Sequence, residues 1–313
     1  LGSRLRVAGV RPADPDEPDD PATCPNIDGK AKWGYVADLG GNLYRISGAT
    51  ANTPIGTTHP KDWTMTKIAS LGCDDADLNP DPAVNPCLAN RKFIFAPDVV
   101  AKSNVVPEEK IYYLLVGSGD REKPLKEFVA TYAVKNYFFM VQDKPRDPEW
   151  LNEELDDCGA SVICKDSLLE IGVDDLPDPG ELALSKGWAL ELRDHEQIVT
   201  SAITVFGTTT FSSHTPYVPV PGSCESDLGT ARVYNIRYLD ASSRNGTADR
   251  SQKVAGGGLP PSPVAGRVLL DGEAKPVPFI IGASPDSPLD AKLPTGAGTG
   301  RQPKSLTYWH IEK

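Results

Sequence analysis

Short apolar runs of four to eight residues recur along most of the chain, separated by clusters of Gly, Pro, Asn and Asp. Runs of this length that are rich in β-branched and aromatic residues and bounded by turn residues are typical of strands. The predicted strands are residues 35–37, 43–46, 92–96, 111–116, 137–141, 198–205, 208–212, 231–236, 266–270 and 277–281. The pattern predicts an all-β protein.

Three pairs of these runs are predicted to form antiparallel hairpins. They turn at residues 38–42, at Phe206-Gly207 and at residues 271–273, where turn residues separate two apolar segments. Because one sheet cannot bury both of its faces alone, repeated hairpins of this kind suit the blades of a β-propeller. Four to five blades are visible, so closing the propeller would take strands from upstream of Leu1.

Helix is expected to be scarce, with one short helix at 148–155 and a weaker candidate at 167–170. Polar insertions at 72–90 and 143–186 are too long for hairpin turns, and loops of that length are usually functional or partly disordered. The Gly- and Pro-rich tract 256–263 is either a linker between blades or an ordered turn. Residues 1–23 are predicted to be an acidic, Pro-rich linker, and residues 24–313 one propeller-like domain.

Composition excludes several classes of function. The chain has 313 residues and a formal charge of −11, which disfavours nucleic-acid binding because a phosphate backbone requires a basic face. Repulsion from anionic headgroups likewise disfavours the membrane surface. No run of about 18 apolar residues occurs, so direct membrane insertion is not expected.

Six cysteines fit a disulfide-permissive compartment better than the cytosol. Their spacing pairs Cys73 with Cys87 and Cys158 with Cys164, which leaves Cys24 with Cys224 by elimination. The alternative is that these are ordinary buried thiols.

Catalytic signatures are missing. The histidines at 59, 195, 214 and 310 have no triad context, and the sequence contains no Gly-x-Ser-x-Gly, His-Glu-x-x-His or Walker motif. Adjacent acidic pairs on loops do not define the carboxylate spacing of a glycosidase. The chain is therefore predicted not to be an enzyme.

Several segments, in order, resemble the C-terminal β-propeller of the PilY family. The opening hairpin 33–46 follows a loop at 26–29, and the strand 113–116 ends in Gly-Ser-Gly-Asp. A Gly-Trp strand at 187–192 precedes 196–200, Phe211 precedes the strand 231–236, and the segments 258–264 and 308–311 match the last blade and tail. Each motif is weak alone, but their order is specific.

The resemblance implies a non-enzymatic protein at the tip of the type IV pilus that supports pilus assembly, surface adhesion and twitching motility. Its implied partners are minor pilins, the upstream N-terminal domain of the same protein, and a host or abiotic surface. The implied location is extracellular, at the pilus tip, after export through the periplasm.

The family's calcium loop is degenerate in this chain. Asn26 and Asp28 stand at its third and fifth positions, but Cys24 replaces the first carboxylate and Lys32 occupies the ninth position. Calcium requires six to eight oxygen ligands, so we expect it to be lost or weakly bound here. A disulfide through Cys24 could fasten this loop instead.

A second acidic cluster is the other calcium candidate. Asp75, Asp77, Asn79 and Asp81 occupy positions one, three, five and seven of a calcium-loop spacing, but Pro80 replaces the usual Gly at position six. The alternative is a solvated acidic loop, and no cofactor other than calcium is suggested.

Two rival functions share the expected fold. A quinone-dependent dehydrogenase-like propeller enzyme should carry regularly spaced tryptophan motifs, which the five Trp of this chain do not form. An outer-membrane assembly scaffold should lack the Pro-Ser-Pro segment and the Trp-His tail.

Overall fold

The computed structural model describes residues 6–8, 31–56, 58–73, 90–101, 110–125, 127–218, 228–243, 245–268, 277–287 and 291. In chain order its strands are β1 (Arg6–Ala8), β2 (Trp33–Ala37), β3 (Asn42–Ser47), β4 (Thr64–Ser70), β5 (Asp98–Ala101), β6 (Tyr112–Gly117), β7 (Tyr137–Asp143), β8 (Leu169–Ile171), β9 (Gly187–Glu191), β10 (Gln197–Ile198), β11 (Ile203–Val205), β12 (Thr208–Thr215), β13 (Thr230–Arg237), β14 (Ser251–Lys253), β15 (Val264–Val268) and β16 (Val277–Ile281). The helices are α1 (Val129–Tyr132), α2 (Leu155–Cys158) and α3 (Pro179–Leu184), with 3-10 turns at Pro60–Asp62, Asn152–Glu154 and Lys165–Ser167.

The strands form four sheets that follow one another along the chain. The first sheet has the order β1-β2-β3-β4, the second β5-β6-β7-β9-β8, and the third β10-β12-β13-β14 with β11 also paired to β12. The fourth is the hairpin β15-β16. All pairs are antiparallel except β8 with β9. The result is an all-β, propeller-like fold, as the sequence predicts.

All three predicted hairpins are confirmed. In the opening hairpin Val36 pairs with Tyr44, and the Asp38 carboxylate accepts hydrogen bonds from the Gly40 and Asn42 amides at 2.9 Å. Such Asx geometry fixes a turn with local hydrogen bonds. The predicted strand 198–205 is interrupted and divides into β10 and β11, while residues 269–276 of the third hairpin's turn lie outside the described residues.

Several predicted elements differ from the structure. Residues 92–96 are not a strand, because Phe93 donates its amide to the Asp38 carbonyl and Lys92 pairs with Asp120 at 2.6 Å, so the segment bonds to turns instead of a ladder. The predicted helix 148–155 is a 3-10 turn followed by α2, and residues 167–170 end a 3-10 turn and enter β8. The tract 256–263 links β14 of the third sheet to β15 of the fourth, and within it the Ser262 hydroxyl accepts from the Ser201 amide at 3.1 Å.

The second sheet is buried on both faces. Along β6, Tyr112, Leu114 and Val116 join one apolar cluster, whereas Tyr113 and Leu115 join the other. The first cluster lies against the first sheet and includes Trp33, Tyr35, Leu43 and Ile68; the second lies against the third sheet and includes Trp188, Phe211, Tyr234 and Ile236. Successive side chains of a strand point to opposite faces, which explains why β6 and β7 are continuous apolar runs in the sequence.

Gly187 opens β9 at a position that only glycine fits. Its φ is 147°, and a Cβ built there would lie 2.0 Å from the Met140 carbonyl oxygen of the neighbouring strand. The close approach of the β7 and β9 backbones therefore explains the glycine of the Gly-Trp segment.

We expect Gly187→Ala to lower the free energy of unfolding by about 1–3 kcal/mol, which is the usual cost of such a backbone conformation. The clash of the new Cβ with the neighbouring backbone should lower it further. Urea unfolding followed by tryptophan fluorescence measures the loss. Gly207→Ala is the matched control, because Gly207 also has a positive φ, of 82°, but has open space at its Cβ position. Equal losses in the two variants would show that close approach at Gly187 is unimportant.

Candidate interaction surface

The long insertion at residues 143–186, called here the acidic insertion, connects the end of β7 to the start of β9 and contains β8, the edge strand of the second sheet. Strands β7 and β9 are neighbours, and Val141 pairs with Gly187. Its 44 residues contain 13 Asp and Glu against 4 Lys and Arg, a net charge of −9 out of −11 for the whole chain. The rest of the chain is nearly neutral, so the acidity of this protein resides in one insertion.

Lys186, the last residue of the acidic insertion, binds residues near the start of the same insertion. The Lys186 ammonium donates to the Trp150 carbonyl at 2.5 Å and to Glu153 at 2.6 Å, and it lies 3.1 Å from Glu154. It also lies 3.8 Å from the centre of the Trp150 ring, a cation–π contact. The hydrogen bond from Lys186 lowers the pKa of Glu153. One buried cation thus closes the base of the insertion.

A disulfide fastens the middle of the acidic insertion. Cys158 and Cys164 are bonded, as the spacing predicts. Between them Ile163 forms a parallel bridge with Ala69 of β4, donating its amide to the Ile68 carbonyl at 3.0 Å and accepting from the Ser70 amide at 2.9 Å. The disulfide loop therefore docks on the edge of the first sheet. Cys73 is also disulfide-bonded.

Replacing both Cys158 and Cys164 with alanine is expected to lower the free energy of unfolding by about 2 kcal/mol, the chain-entropy value for so short a loop. Chemical denaturation of the oxidised variant and of the oxidised wild-type protein measures the difference. Leaving Cys73 intact in both proteins keeps the comparison specific. An unchanged unfolding midpoint would mean that the bridge contributes nothing to the free energy of unfolding.

The last part of the acidic insertion is fastened to the third sheet. Arg250, next to β14, donates to the Val173 carbonyl at 2.8 Å and also to the Asp175 carbonyl. The α3 helix begins after Asp178, whose carboxylate accepts from the Gly180 and Glu181 amides at 2.8 and 2.9 Å, a standard N-cap. Burial lowers the pKa of Arg250. The insertion is thus held to the first sheet through Ile163, to the second through β8, which pairs with β9, and to the third through Arg250.

The outward surface of the acidic insertion combines carboxylates with leucines. Eleven of its acidic residues are exposed: Asp147, Glu149, Glu153, Asp156, Asp157, Asp166, Glu170, Asp174, Asp175, Asp178 and Glu181. Within residues 143–186, all of which are described, Arg146 is the exposed basic residue. Leu155, Leu176 and Leu184 are 55%, 50% and 89% exposed. A surface that carries many carboxylates and a few exposed leucines suits a protein contact better than a catalytic centre.

A pocket of about 210 Å³ lies where the acidic insertion meets the third sheet, lined in part by Asp174, Arg193, Tyr234 and Arg250. It is smaller than the roughly 300–1,000 Å³ of typical ligand pockets. Its cations have partners, since Arg193 donates to the Tyr234 hydroxyl at 2.9 Å and Arg250 binds carbonyl groups. The pocket is therefore a gap in the packing between the acidic insertion and the third sheet.

The calcium candidates lie outside the described residues. This holds for Asp75, Asp77, Asn79 and Asp81, for Asn26 and Asp28, and for the cysteines Cys24, Cys87 and Cys224. The calcium predictions and the two other cysteine pairings stay predictions. Among the described residues, no three His, Cys, Asp or Glu side chains are grouped to hold a metal ion.

Three histidines have structural surroundings. His59 accepts from the Lys61 amide at the start of a 3-10 turn, His195 stacks on the Tyr132 ring at 3.7 Å, and buried His214 bonds the Leu228 carbonyl at 2.8 Å. In the part of the chain that is described, no helix is long and apolar enough to cross a membrane.

Sequence reasoning singled out the 143–186 insertion by its length but missed the residues that make it a surface. The concentration of charge was readable from the sequence by counting Asp and Glu along it. The contacts of Lys186 and Arg250 were not, because they join segments that are far apart in the chain.

Comparison with solved structures finds similarity to the C-terminal domain of PilY1 from Pseudomonas aeruginosa, with a TM-score of 0.47 and 13% sequence identity. The match covers 88% of this chain and 58% of that chain, so this chain spans less than two thirds of its length. No family model matches the sequence, and no curated protein matches it.

Proposed function

We propose that this chain is the C-terminal β-domain of a non-enzymatic, pilus-associated protein of the PilY type, and that the acidic insertion docks a protein partner. One observation carries the proposal. The sequence segments that resemble this family fall, in order along the chain, on strands of three successive sheets: 33–46 on β2 and β3, 113–120 on β6 and its turn, 187–200 on β9 and β10, and Phe211 and 231–236 on β12 and β13.

The Gly-Ser-Gly-Asp segment illustrates why this order is informative. A Cβ on Gly119 would lie 2.3 Å from the Ile198 carbonyl oxygen, and Asp120 donates its amide to the Gln197 side chain at 2.8 Å while its carboxylate binds Lys92. This turn therefore joins the second sheet to β10 of the third. Proteins that share an architecture are expected to share the residues that join its sheets. The contacts of this turn therefore support the assigned fold directly, and the proposed function only through the fold.

In this proposal the domain is exported through the periplasm and acts at the tip of the type IV pilus. It supports pilus assembly through minor pilins and the upstream domain of the same protein, and it supports adhesion and twitching motility through contact with a host or abiotic surface. Loops on a rigid scaffold carry recognition in many proteins, and the acidic insertion is such a loop with fixed anchors.

Fractionation of the encoding bacterium tests the proposal. The full-length protein, carrying an epitope tag, should co-purify with sheared pili, and deletion of its gene should reduce surface pili and the twitching zone. Recovery of the protein away from the pilus fraction, with normal piliation in the deletion strain, would reject the pilus assignment. Quinone absorbance in the purified protein would favour the dehydrogenase-like alternative.

A further inference from the structure

We infer that the β15–β16 hairpin and the segments next to it form a strap that opens from the third sheet while the first three sheets stay folded. The strap comprises residues 260–268 and 277–285. Opening of this kind is a conformational property of the fold, and it is independent of the pilus assignment and of any partner of the acidic insertion.

Hydrogen bonds attach the strap at opposite edges of the third sheet. Between β10 and β11, the Ser201 amide donates to the Ser262 hydroxyl at 3.1 Å. Beyond β14, at the other edge, the Ala255 amide donates to the Pro285 carbonyl at 2.9 Å. The strap therefore crosses the sheet between these two attachments. It crosses on the outer face, because the other face lies against the second sheet through the second apolar cluster.

A further attachment comes from the turn that follows β6. The Arg121 guanidinium donates to the Pro260 carbonyl of the strap at 3.1 Å and also to the Val199 carbonyl of the third sheet. This attachment, like the other two, is a hydrogen bond that water can replace when the strap leaves.

The outer face of the third sheet offers little apolar area to the strap. On β12 it carries Thr210, Ser212 and His214, since Phe211 between them points into the second apolar cluster. All three outer residues are buried, so this polar face is covered and not open to solvent. The apolar cluster that belongs to the outer face is small and consists of Ala231, Val233 and Val254.

The strap brings little apolar area of its own. Across β15 and β16, Ile280 is the buried residue, whereas Val264 and Val268 are 58% and 41% exposed. Large aromatic and aliphatic side chains fill the contacts among the first three sheets instead. Because hydrophobic stabilisation scales with the apolar area buried, the strap is held less firmly than those three sheets are held to one another.

Buried polar atoms without partners weaken the contact further. Among the described residues, four buried side-chain nitrogen or oxygen atoms have no hydrogen-bond partner, and three of them lie here: Ser212 Oγ and His214 Nδ1 on the sheet, and Ser284 Oγ on the strap. A buried polar group without a partner costs free energy that contact with water recovers. Opening hydrates these groups, which offsets part of the contacts that it breaks.

A run of three glycines joins β14 to the strap and supplies a hinge. Gly256, Gly257 and Gly258 have φ values of 83°, 63° and 78°, in a region that glycine enters without steric cost. Hinges are short segments that absorb large changes in backbone dihedral angles. The strap can therefore turn about this run while β14 stays paired with β13.

Hydrogen exchange of the full chain, resolved by residue with NMR, tests strap opening. The Ser201 and Ala255 amides, called here the attachment amides, should exchange at least about 100-fold faster than amides of the β6–β7 ladder, because local opening requires less free energy than global unfolding. Their exchange should be insensitive to low concentrations of urea. Amides of the β12–β13 ladder should stay protected, since the third sheet remains folded.

Three variants change the opening in opposite directions. Ser212→Ala and Ser284→Ala each remove a hydroxyl that has no partner, so each should slow exchange of the attachment amides about threefold to tenfold. Arg121→Gln removes a charged donor and should speed it about tenfold. Ser118→Ala is the matched control: Ser118 is equally buried, but its hydroxyl donates to the Asn136 side chain at 2.9 Å, so this variant should not slow exchange of the attachment amides.

Any of three results would overturn strap opening. Equal exchange of the attachment amides and the β6–β7 ladder would show that the strap leaves only in global unfolding. Exchange of the β12–β13 ladder together with the attachment amides would show that the whole third sheet opens. Faster exchange in both Ser212→Ala and Ser284→Ala would show that these hydroxyls stabilise the closed strap.

Discussion

Replacing Asp143 with alanine is expected to lower the free energy of unfolding by about 3–5 kcal/mol, because it leaves a buried guanidinium without its counterion. The Asp143 carboxylate is fully buried at the end of β7, where Arg45 of β3 donates to it at 2.5 Å and the Tyr35 hydroxyl of β2 donates at 2.8 Å. This network joins the first sheet to the second. Burial raises the pKa of Tyr35 well above its ordinary value, and the Asp143 carboxylate raises it further.

Two companion variants separate this network from ordinary packing. Tyr35→Phe removes one hydrogen bond and should cost about 1 kcal/mol. Replacing Arg45 with methionine and Asp143 with leucine in the Tyr35→Phe background removes both charges and the buried hydroxyl that donates to Asp143, so it should recover most of the loss, since buried ion pairs often exchange for apolar residues at little cost. Denaturant unfolding measures all three variants. A loss below about 1 kcal/mol in Asp143→Ala would mean that water reaches Arg45 and that the network contributes little.

Phe211→Ala is the second large effect, with an expected loss of about 3–5 kcal/mol of unfolding free energy. The Phe211 ring, on β12 of the third sheet, stacks on Phe138 of β7 at 3.8 Å and on Tyr234 of β13 at 4.8 Å. All three rings belong to the apolar cluster between the second and third sheets. Truncation to alanine leaves a cavity between the second and third sheets. Because other contacts fix the positions of these sheets, they cannot move together to fill it.

The size dependence of this loss is the informative measurement. Phe211→Leu keeps most of the volume and should cost clearly less than the alanine variant, whereas Phe128→Ala, at an exposed aromatic position, should stay within about 0.5 kcal/mol of wild type. Similar losses for the leucine and alanine variants would mean that ring stacking, and not the filled volume, stabilises this interface.

The sequence predicted the hairpins well because the residues that form each turn and its two strands are close together in the chain. Asp38 and its neighbours form the opening turn with their own side chains, and the two-residue turn at Phe206-Gly207 joins strands that are adjacent in the chain. Short apolar runs bounded by turn residues predicted the later strands for the same reason. The one long uninterrupted strand expected at 198–205 was wrong because the ladder breaks after Val199, which still donates its amide to the Ser212 carbonyl at 3.2 Å; beyond it the Thr200 hydroxyl accepts from the Ser212 amide at 2.8 Å.

The internal structure of the acidic insertion was beyond sequence reasoning for the opposite reason. Its 3-10 turns, α2, β8 and α3 are short, and each is positioned by a distant residue: β4 binds Ile163, Arg250 binds 173 and 175, and β9 pairs with β8. Residues 92–96 look like a strand by composition, yet tertiary contacts of Lys92 and Phe93 override that propensity. The Cys158–Cys164 bridge was predictable because six residues of separation leave few other partners nearby.

The central position of the second sheet has a consequence for how such a domain can diverge. Tyr112 and Tyr113 are adjacent in the chain but belong to different apolar clusters, so any shift of the β6 backbone is felt on both sides at once. The first sheet lines the first cluster alone, whereas β13 of the third sheet lines the second cluster through Tyr234 and a small third cluster through Ala231 and Val233. In an evolving lineage, β6 and β7 can therefore change only in small, compensated steps, while the first sheet and the loops it carries can change more freely.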